Sequence, residues 1–355
     1  MQIQARGIVF SRRGLYNCIQ VFLWGDWCET GRLNMKHIFV VNPISGKADA
    51  SLYLVPKLID AAGAAGLSYT VELTRHRGHA TELARQYGES GEAVRLYACG
   101  GDGTLNEVFF GAYPYENLEV ASVPCGSGND FVRSFGEAEE FLDLADNIAG
   151  TAVTIDLATV NGGVSAAICS VGMDSEVAYN IPKYRRLPLC GGQMAYTLSI
   201  VERILKPIGQ KVRITIDGDV LTGNYLICTV CNGVAYGGGY FAAPCADLQD
   251  GLLDVILVKK MSRLRAVQVL GKYKLGQHLK DGVVAPEFAD IMEYRKAKKI
   301  LIEPLEKPEM IVNLDGECGP APVLDAQIMP HAARFVLPAA VYSRFAAENA
   351  VAAAW

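Results

Sequence analysis

The sequence predicts an α/β protein of two domains: an N-terminal domain with a doubly wound parallel sheet, and a C-terminal domain that is mostly an antiparallel β-sandwich. Three observations support this fold class. The chain has 355 residues, about the length of two ordinary domains. Apolar runs alternate with helical periodicity up to about residue 156, which is typical of a parallel sheet with helical crossovers. Longer β-type runs follow, which is typical of an antiparallel sheet.

The elements of the first half alternate regularly. Strands are predicted at 38–41, 69–73 and 93–99. Between them, apolar residues at helical spacing predict two helices, one across Leu52 to Ala62 and one across Ala80 to Tyr87. Each strand is therefore followed by a helix that returns the chain to the same edge of the sheet.

The second half consists mainly of β-type runs. They lie at 164–172, 211–216, 220–230, 252–258, 298–304 and 310–314. Asp217-Gly218-Asp219 joins two of these runs and is a typical hairpin turn. Helical insertions are predicted near 191–205 and 262–280.

These patterns predict the domain boundaries. Residues 1–34 differ from the rest of the chain and are treated as an extension outside the fold, because Met35 directly precedes the first predicted strand. The first domain covers 35–156 and is rejoined by 328–355. The second domain covers 157–327.

Composition excludes several classes of protein. Half of the residues are hydrophobic and a fifth are charged, which excludes disordered and fibrous chains. The net charge of −5 argues against nucleic acid as a partner. The ten cysteines are scattered, which indicates reduced thiols and a cytoplasmic protein. No apolar run is long enough to span a bilayer, so any membrane association is expected to be peripheral.

The strongest local motif is the glycine-rich stretch from Gly100 to Glu107, GGDGTLNE. It directly follows a buried strand and precedes a helical run, so its glycines and the free N–H groups of a helix N-terminus predict a phosphate-binding loop. Asp102 places an acid at this loop. Thr104 and Glu107 have the spacing of a capping box, which predicts where the helix starts.

Two further loops follow strand ends. They are 42–47 (NPISGK) and 124–131 (PCGSGNDF). Because ligands of open α/β sheets bind beyond the carboxyl ends of the strands, all three loops are expected to converge on one nucleotide. Neither a Walker A motif nor a G-x-G-x-x-G motif after the first strand is present, which argues against P-loop NTPases and simple Rossmann dehydrogenases.

The combination of motifs resembles the bacterial soluble diacylglycerol kinase or lipid kinase family, which is related to sphingosine kinases. The motifs occur in order across about 35–340: NPISGK, GGDGTLNE, PCGSGNDF, the Asp of TIDLATVN, YFAAPCADLQDGLLDVILV and NLDGE. The resemblance implies an ATP-dependent kinase whose active site lies between an N-terminal nucleotide-binding domain and a C-terminal sandwich.

The resemblance also implies roles for particular residues. ATP would be surrounded by Asn42, Ser45, Gly46, Thr74, Gly101, Asp102, Gly103, Thr104, Asn106, Glu107 and Ser127. Asp102 would act through Mg²⁺ on the phosphates, with Asp130 and Asp156 supporting that network. A second, structural Mg²⁺ would be held by the Asp250 carboxylate and the carbonyl groups of Asp247 and Leu252.

Phosphoryl transfer to an alcohol also requires a group that accepts the hydroxyl proton. Asp315-Gly316-Glu317 offers two carboxylates on a tight turn. Glu317 is the predicted base, and Asp315 is the alternative. Taken alone, this tripeptide and Asp250-Gly251 are both also compatible with plain turns.

The predicted function is phosphorylation of diacylglycerol to phosphatidic acid. Alternatives are a kinase for phosphatidylglycerol or a sphingoid base, a catalytically inactive nucleotide- or lipid-binding regulator and, less favoured, an NAD kinase. Three basic clusters are candidates for contact with a lipid surface: Lys183 to Arg186, Lys259 to Arg265, and Arg295 to Lys299. A homodimer is compatible with the sequence.

Overall fold

The computed structural model describes residues 35–46, 49–186, 192–206 and 208–352. The predicted extension 1–34 and Lys47 of the first loop lie outside the described residues. No described helix has both the length and the apolar character needed to cross a bilayer.

Strands make up most of the fold. They are β1 (Lys36–Val41), β2 (Tyr69–Leu73), β3 (Val94–Gly100), β4 (Leu118–Pro124), β5 (Thr151–Val160), β6 (Gly163–Ser165), β7 (Ile168–Gly172), β8 (Gln210–Ile216), β9 (Asp219–Cys231), β10 (Leu253–Lys259), β11 (Leu279–Lys280), β12 (Val283–Val284), β13 (Met292–Ala297), β14 (Lys299–Pro304), β15 (Met310–Leu314), β16 (Glu317–Ala321) and β17 (Leu324–Leu337).

Helices connect the strands of the first half and are inserted between strands of the second. The described α-helices are α1 (Ala50–Tyr53), α2 (Val55–Ala64), α3 (His79–Glu89), α4 (Asp102–Ala112), α5 (Leu144–Ile148), α6 (Met173–Arg185), α7 (Gly192–Leu205), α8 (Arg263–Lys274) and α9 (Ala339–Ala352). Short 3-10 helices lie at Phe131–Ser134, Ala138–Leu142 and Pro286–Phe288.

The N-terminal part is built on a parallel sheet in the order β2-β1-β3-β4. Every residue of β3 and β4 is buried, because helices cover both faces of the sheet. The predicted strand at 69–73 coincides with β2. The carboxyl ends of β1, β3 and β4 all point to one edge, and the three predicted phosphate-binding loops leave the sheet there.

The C-terminal part is antiparallel, in the order β16-β15-β7-β9-β8-β14-β17, with β10 and β13 added beside β9. The hairpin predicted at 217–219 joins β8 to β9. Cys228 and Cys231 of β9 belong to different apolar clusters and so lie on opposite faces of the sheet. The α/β fold class with an antiparallel C-terminal sandwich is confirmed.

Two long strands run through both parts. The first half of β17 pairs with β14, and its second half, at Phe335 and Val336, pairs in parallel with β4. Strand β5 accompanies β17 along both stretches. The two parts therefore share one continuous sheet. The domain boundaries at 156, 157, 327 and 328 stay a prediction.

Candidate active site

The three loops that follow β1, β3 and β4 interlock. Asn42 Nδ2 donates to Thr104 Oγ1 at 3.0 Å, which joins the first loop to α4. A Cβ built on Gly46 would lie 2.6 Å from the carbonyl oxygen of Cys125, so the first loop touches the third. A Cβ on Gly126 would lie 2.4 Å from the Cα of Gly101, so only glycine permits this approach between the second and third loops. The three loops therefore converge as expected, and the binding of a nucleotide by them stays a prediction.

Helix α4 begins differently from the prediction. Gly101 is its N-cap and no side chain of the described residues caps it, so Thr104 and Glu107 do not form a capping box. Instead the Glu107 carboxylate accepts hydrogen bonds from the amides of Gly78 (2.8 Å) and Ala80 (3.3 Å) at the start of α3. The capping-box prediction was wrong because a second helix N-terminus, distant in sequence, competes for the same carboxylate. Glu107 thus fixes the loop that leads into α3.

Asp102 and Asp130 form a close pair of acids at the centre of the loops. Burial, together with the negative charge of Asp130, raises the pKa of Asp102 to about 6. Burial also raises the pKa of Asp130, although the amides of Gly238 and Gly239 donate to its carboxylate at 2.8 and 2.9 Å. Because those two glycines belong to the C-terminal part, Asp130 connects the two sides of the cleft.

The Asp102 and Asp130 pair fits a divalent cation. A Cβ built on Gly128 would lie 2.9 Å from Asp102 Oδ2 and 3.0 Å from Asp130 Oδ2, so both oxygens converge on the same small space. Carboxylate oxygens are the ligands that Mg²⁺ prefers, and a cation there would relieve their mutual repulsion. Within the described part of the chain, Asn106 Oδ1 on α4 is buried without a hydrogen-bond partner, which leaves it available to a ligand in the loops.

Asp315 is fully engaged by the backbone. Its carboxylate accepts hydrogen bonds from the Ser165 hydroxyl (3.0 Å) and from the amides of Ala166 (2.8 Å), Ala167 (3.0 Å) and Ile168 (2.7 Å). Burial raises its pKa in spite of these donors. These bonds anchor the turn between β15 and β16 against the segment that precedes β7. Asp315 therefore positions the turn that carries Glu317.

Glu317 is exposed and forms an ion pair with Arg77, which lies in the loop between β2 and α3. The pair joins the C-terminal turn to the N-terminal part. Its Arg77 partner is held indirectly by Glu107, which binds the amide of the next residue, Gly78. The ion pair thus brings Glu317 close to the loop that precedes α3, which Glu107 of α4 also holds.

Asp156 lies on β5 with its side chain fully buried. Its two carboxylate oxygens accept hydrogen bonds from the amides of Gly251 and His331, both at 2.7 Å, and its own amide donates to the carbonyl of Leu248. These contacts fix the 247–252 loop against β17. The magnesium-supporting role of Asp156 stays a prediction.

The predicted structural magnesium site contains a competing cation. Asp250 Oδ2 lies 2.5 Å from the ammonium group of Lys296, and Asp250 Oδ1 accepts from the amide of Leu252 at 2.9 Å. Asp247 accepts from the amide of Gln249 at 2.9 Å. The same Lys296 ammonium is 3.6 Å from the buried Asp254. As arranged here, the carboxylate of Asp250 already has a cationic partner, and magnesium would have to displace it.

The remaining predicted nucleotide contacts lie around the loops. Ser45 is buried at the end of the first loop, Thr74 directly follows β2 and donates its amide to the carbonyl of Val41 at 2.9 Å, and Ser127 is exposed in the third loop. Gly103 lies in the first turn of α4. Ser45, Gly103 and Ser127 belong to the three loops, Thr74 lies beside the end of β1, and the contact of all four with ATP stays a prediction.

Sequence reasoning missed Asp174, in the first turn of α6. Burial raises its pKa to about 6. The side chains of Ser170 and Tyr236 and the amide of Ser175 lie close to it, but within the described residues neither carboxylate oxygen has a partner at hydrogen-bond geometry. Burial and the hydroxyl of Tyr240 raise the pKa of Tyr196, and the charges of both Asp174 and Asp130 add to that shift.

Asp174 and Asp130 therefore both lie within electrostatic reach of one tyrosine, and Asp174 lies near the cleft. A sequence signal existed. An acid directly follows a buried strand in ICSVGMD, as Asp102 does after β3.

Comparison with known proteins agrees with this site. Residues 36–160 match the diacylglycerol kinase catalytic domain, and residues 167–337 match the YegS C-terminal NAD kinase beta sandwich-like domain. A diacylglycerol kinase of Bacillus subtilis (strain 168) is 31% identical over 79% of this chain and 89% of its own length. A YegS-like lipid kinase of Shewanella frigidimarina (strain NCIMB 400) is 30% identical over 67% of this chain and 75% of its own length.

Solved structures agree in fold. The crystal structure of a diacylglycerol kinase from Bacillus anthracis str. Sterne has a TM-score of 0.62 at 22% identity, covering 86% of this chain and 98% of that chain. The matched ranges cover both halves of the fold, including the loops around Asp102 and the turn that carries Glu317. The chain belongs to the diacylglycerol kinase and YegS-like family of lipid kinases.

Proposed function

We propose that this lipid kinase transfers the γ-phosphoryl group of ATP to the hydroxyl group of diacylglycerol, giving ADP and phosphatidic acid. The observation that carries the proposal is the pairing of Asp102 with Asp130 between three interlocked loops, with Glu317 on the facing turn. Phosphoryl transfer depends on positioning and charge neutralisation, and this arrangement supplies groups for both.

In the proposed reaction the loops bind ATP and the facing turn supplies the base. The proposed ATP contacts are Asn42, Ser45, Gly46, Thr74, Gly101, Asp102, Gly103, Thr104, Asn106, Glu107 and Ser127. When bound, magnesium would supply charge neutralisation at the phosphates, held by Asp102 and Asp130. Glu317 takes the hydroxyl proton as the alcohol oxygen bonds to the γ-phosphorus. The bond between that phosphorus and the β,γ-bridging oxygen breaks, and its electron pair leaves with ADP.

Two features of Glu317 support it as the base. Glu317 is exposed and pairs with the exposed side chain of Arg77, whereas Asp315 is held by the Ser165 hydroxyl and by three successive backbone amides. These four hydrogen bonds already occupy the oxygens of Asp315, which leaves them less free than those of Glu317 to accept the proton of a substrate hydroxyl group. Release of Glu317 from Arg77 when substrates enter is part of the proposal.

The surroundings of Asp174 favour a second candidate for the lipid that accepts the phosphoryl group. The oxygens of Asp174 are buried, and among the described residues no donor reaches them at hydrogen-bond geometry, so a ligand that brings donors would relieve the cost of their burial. Diacylglycerol has a single hydroxyl, which the base would engage. A sphingoid base or phosphatidylglycerol carries further hydroxyl or amino donors, so either could also satisfy Asp174.

The test is a transfer assay with radiolabelled ATP and mixed micelles of dioctanoylglycerol, phosphatidylglycerol or sphinganine, with NAD as a separate acceptor. We expect label in phosphatidic acid, and Asp102→Asn should retain less than about a tenth of kcat while still folding. If label appeared only in another lipid, that lipid and not diacylglycerol would be the acceptor. Label in NAD, or in none of the acceptors, would contradict the lipid reaction and favour an NAD kinase or an inactive regulator.

We further propose that the protein works in the cytoplasm at the membrane surface, because its substrate partitions into bilayers. A homodimer is also proposed, and sedimentation velocity at increasing protein concentration tests it. A concentration-independent monomer would contradict the dimer without affecting the kinase proposal.

A further inference from the structure

Helix α7 has an apolar face that points away from the protein. Four large side chains on it are exposed: Met194 (56%), Leu198 (37%), Val201 (48%) and Leu205 (72%). Their spacing of four, three and four residues places them on one side of a helix. Another side of the helix is buried at Ala195 and Ser199, and the Ser199 hydroxyl donates to the carbonyl of Val177 on α6 at 2.6 Å. Surface helices normally bury their large apolar side chains and expose their polar ones.

Helix α8 begins beside the end of α7 and carries further exposed apolar side chains. Its first residue, Arg263, donates from Nη2 to the carbonyl groups of Leu205 and Lys206, both at 3.2 Å, so the end of α7 meets the start of α8. Leu264 and Val267 on the first turns of α8 are 71% and 53% exposed. We call these six exposed apolar residues the α7–α8 surface: Met194, Leu198, Val201, Leu205, Leu264 and Val267.

The α7–α8 surface is bordered by positive charge. Residues 259–275 contain six cationic side chains and no acidic one, in a chain of net charge −5: Lys259, Lys260, Arg263, Arg265, Lys272 and Lys274. Only Arg265 and Lys272 of these have carboxylate partners among the described residues. A cationic border around exposed apolar side chains is the pattern of a helix that lies in a membrane interface.

We propose that the α7–α8 surface docks the protein on an anionic lipid bilayer. The six apolar side chains enter the boundary between headgroups and acyl chains, and the neighbouring lysines and arginines contact the headgroup phosphates. A second copy of the chain is a poorer occupant, because a symmetric contact would bring two cationic borders together. The docking proposal rests on the proposed function in one respect only: the reason for docking is access to a substrate in the bilayer.

The inner side of α7 faces the candidate active site. Tyr196 lies with its ring centroid 6.2 Å from that of Tyr240. Tyr240 closes the short turn whose Gly238 and Gly239 amides hold Asp130. One helix therefore separates the proposed lipid contact from the paired carboxylates. Docking by this surface would place the cleft beside the bilayer that holds the acceptor.

The test is co-sedimentation of the full chain, without ATP, with vesicles of phosphatidylcholine alone or with about a third phosphatidylglycerol. Two double variants remove the contacts: Leu198→Gln with Val201→Gln, and Lys259→Gln with Lys260→Gln. Each should weaken binding to the anionic vesicles by about tenfold. Matched controls are Leu52→Gln with Val220→Gln, at sites 77% and 61% exposed elsewhere, and Lys298→Gln with Lys299→Gln.

Each outcome decides the matter. Binding that neither test variant weakens would overturn the proposal, as would a loss confined to the Lys298 and Lys299 control, which would move docking to that strand. Loss of self-association in the Leu198 and Val201 variant, with vesicle binding unchanged, would make the surface a dimer interface instead. Phosphorylation of dispersed dioctanoylglycerol by the variants distinguishes the docking proposal from the proposed kinase reaction. Vesicle docking can fail while phosphoryl transfer persists, and phosphoryl transfer can fail while docking persists.

Discussion

At the scale of single residues, the roles of Asp315 and Glu317 can be separated by substitution. Glu317→Gln keeps the size of the side chain and removes its basicity, so we expect kcat to fall by roughly 10²–10⁴ with little change in ATP affinity. Asp315→Asn removes the charge that four backbone and hydroxyl donors stabilise, so its main effect should be on folding stability.

Steady-state kinetics together with thermal melting of both variants test this assignment. If Asp315→Asn lost more kcat than Glu317→Gln at equal stability, the two roles would be reversed. Arg77→Met serves as a control, since it removes the partner of Glu317 and leaves the carboxylate in place.

Asp174 should make stability depend on pH in a defined window. Its pKa is about 6 in the folded protein because of burial, against about 3.9 in an unfolded chain. Between these values the folded state holds more protons, so the free energy of unfolding falls as pH rises from about 4 to 6. Asp174→Asn should therefore match the parent protein near pH 4 and exceed it by on the order of 2–3 kcal/mol at pH 7.

Urea unfolding at a series of pH values measures this difference. The comparison of parent and variant cancels the contributions of other acids, including Asp102. A gap that is constant across the pH range, or that is largest at pH 4, would show that Asp174 ionises normally.

At the scale of elements, the sequence predicts local structure well. The strand at 69–73 coincides with β2, and the predicted helical insertions contain α7 and α8. These elements follow from periodicity within a short window. The convergence of the three loops also follows, because parallel strands end at one edge.

Contacts between residues that are distant in sequence cannot be predicted from such short windows. Glu107 has capping-box spacing, yet it binds the start of α3, and only the packing of α3 on α4 reveals that competitor. The same holds for Arg77 and Glu317, which are 240 residues apart in sequence. Asp174 was missed although it follows a buried strand, because that position alone does not indicate the burial that raises its pKa.

The 247–252 loop yields a prediction at this scale. If magnesium binds Asp250, the melting temperature without nucleotide should rise with added magnesium, since a ligand of the folded state stabilises it. Asp250→Asn should abolish that response. Lys296→Met should strengthen it, because the cation that now pairs with Asp250 and Asp254 would be gone.

Melting curves in chelator and in excess magnesium provide the measurement, and Lys298→Met is the matched control on a neighbouring exposed lysine. If chelator and excess magnesium gave identical melting temperatures, for the parent and for Lys296→Met, magnesium would not bind here. Asp250-Gly251 would then be a turn stabilised by Lys296 alone.

At the scale of the whole molecule, the two parts of the chain are joined more closely than the motif order suggests. Strands β5 and β17 run through both. One apolar cluster contains Ile38 and Leu96 from the parallel part, Ile256 and Met292 from the antiparallel part, and Phe335 from β17. Polar contacts of Asp130 and Glu317 also cross between the parts.

A shared sheet and a shared core should make the chain unfold as one unit, although proteins of this length often unfold domain by domain. We expect a single calorimetric transition in which the van't Hoff and calorimetric enthalpies agree. Hydrogen exchange followed by mass spectrometry should give β3 and β9 the same free energy of opening, because neither strand can lose its neighbours without exposing part of the common core. A nucleotide bound at the loops should then protect β9 as much as β3. Two resolved transitions, or protection confined to β1–β4, would mean that the cluster around Phe335 couples the two parts too weakly to hold them together.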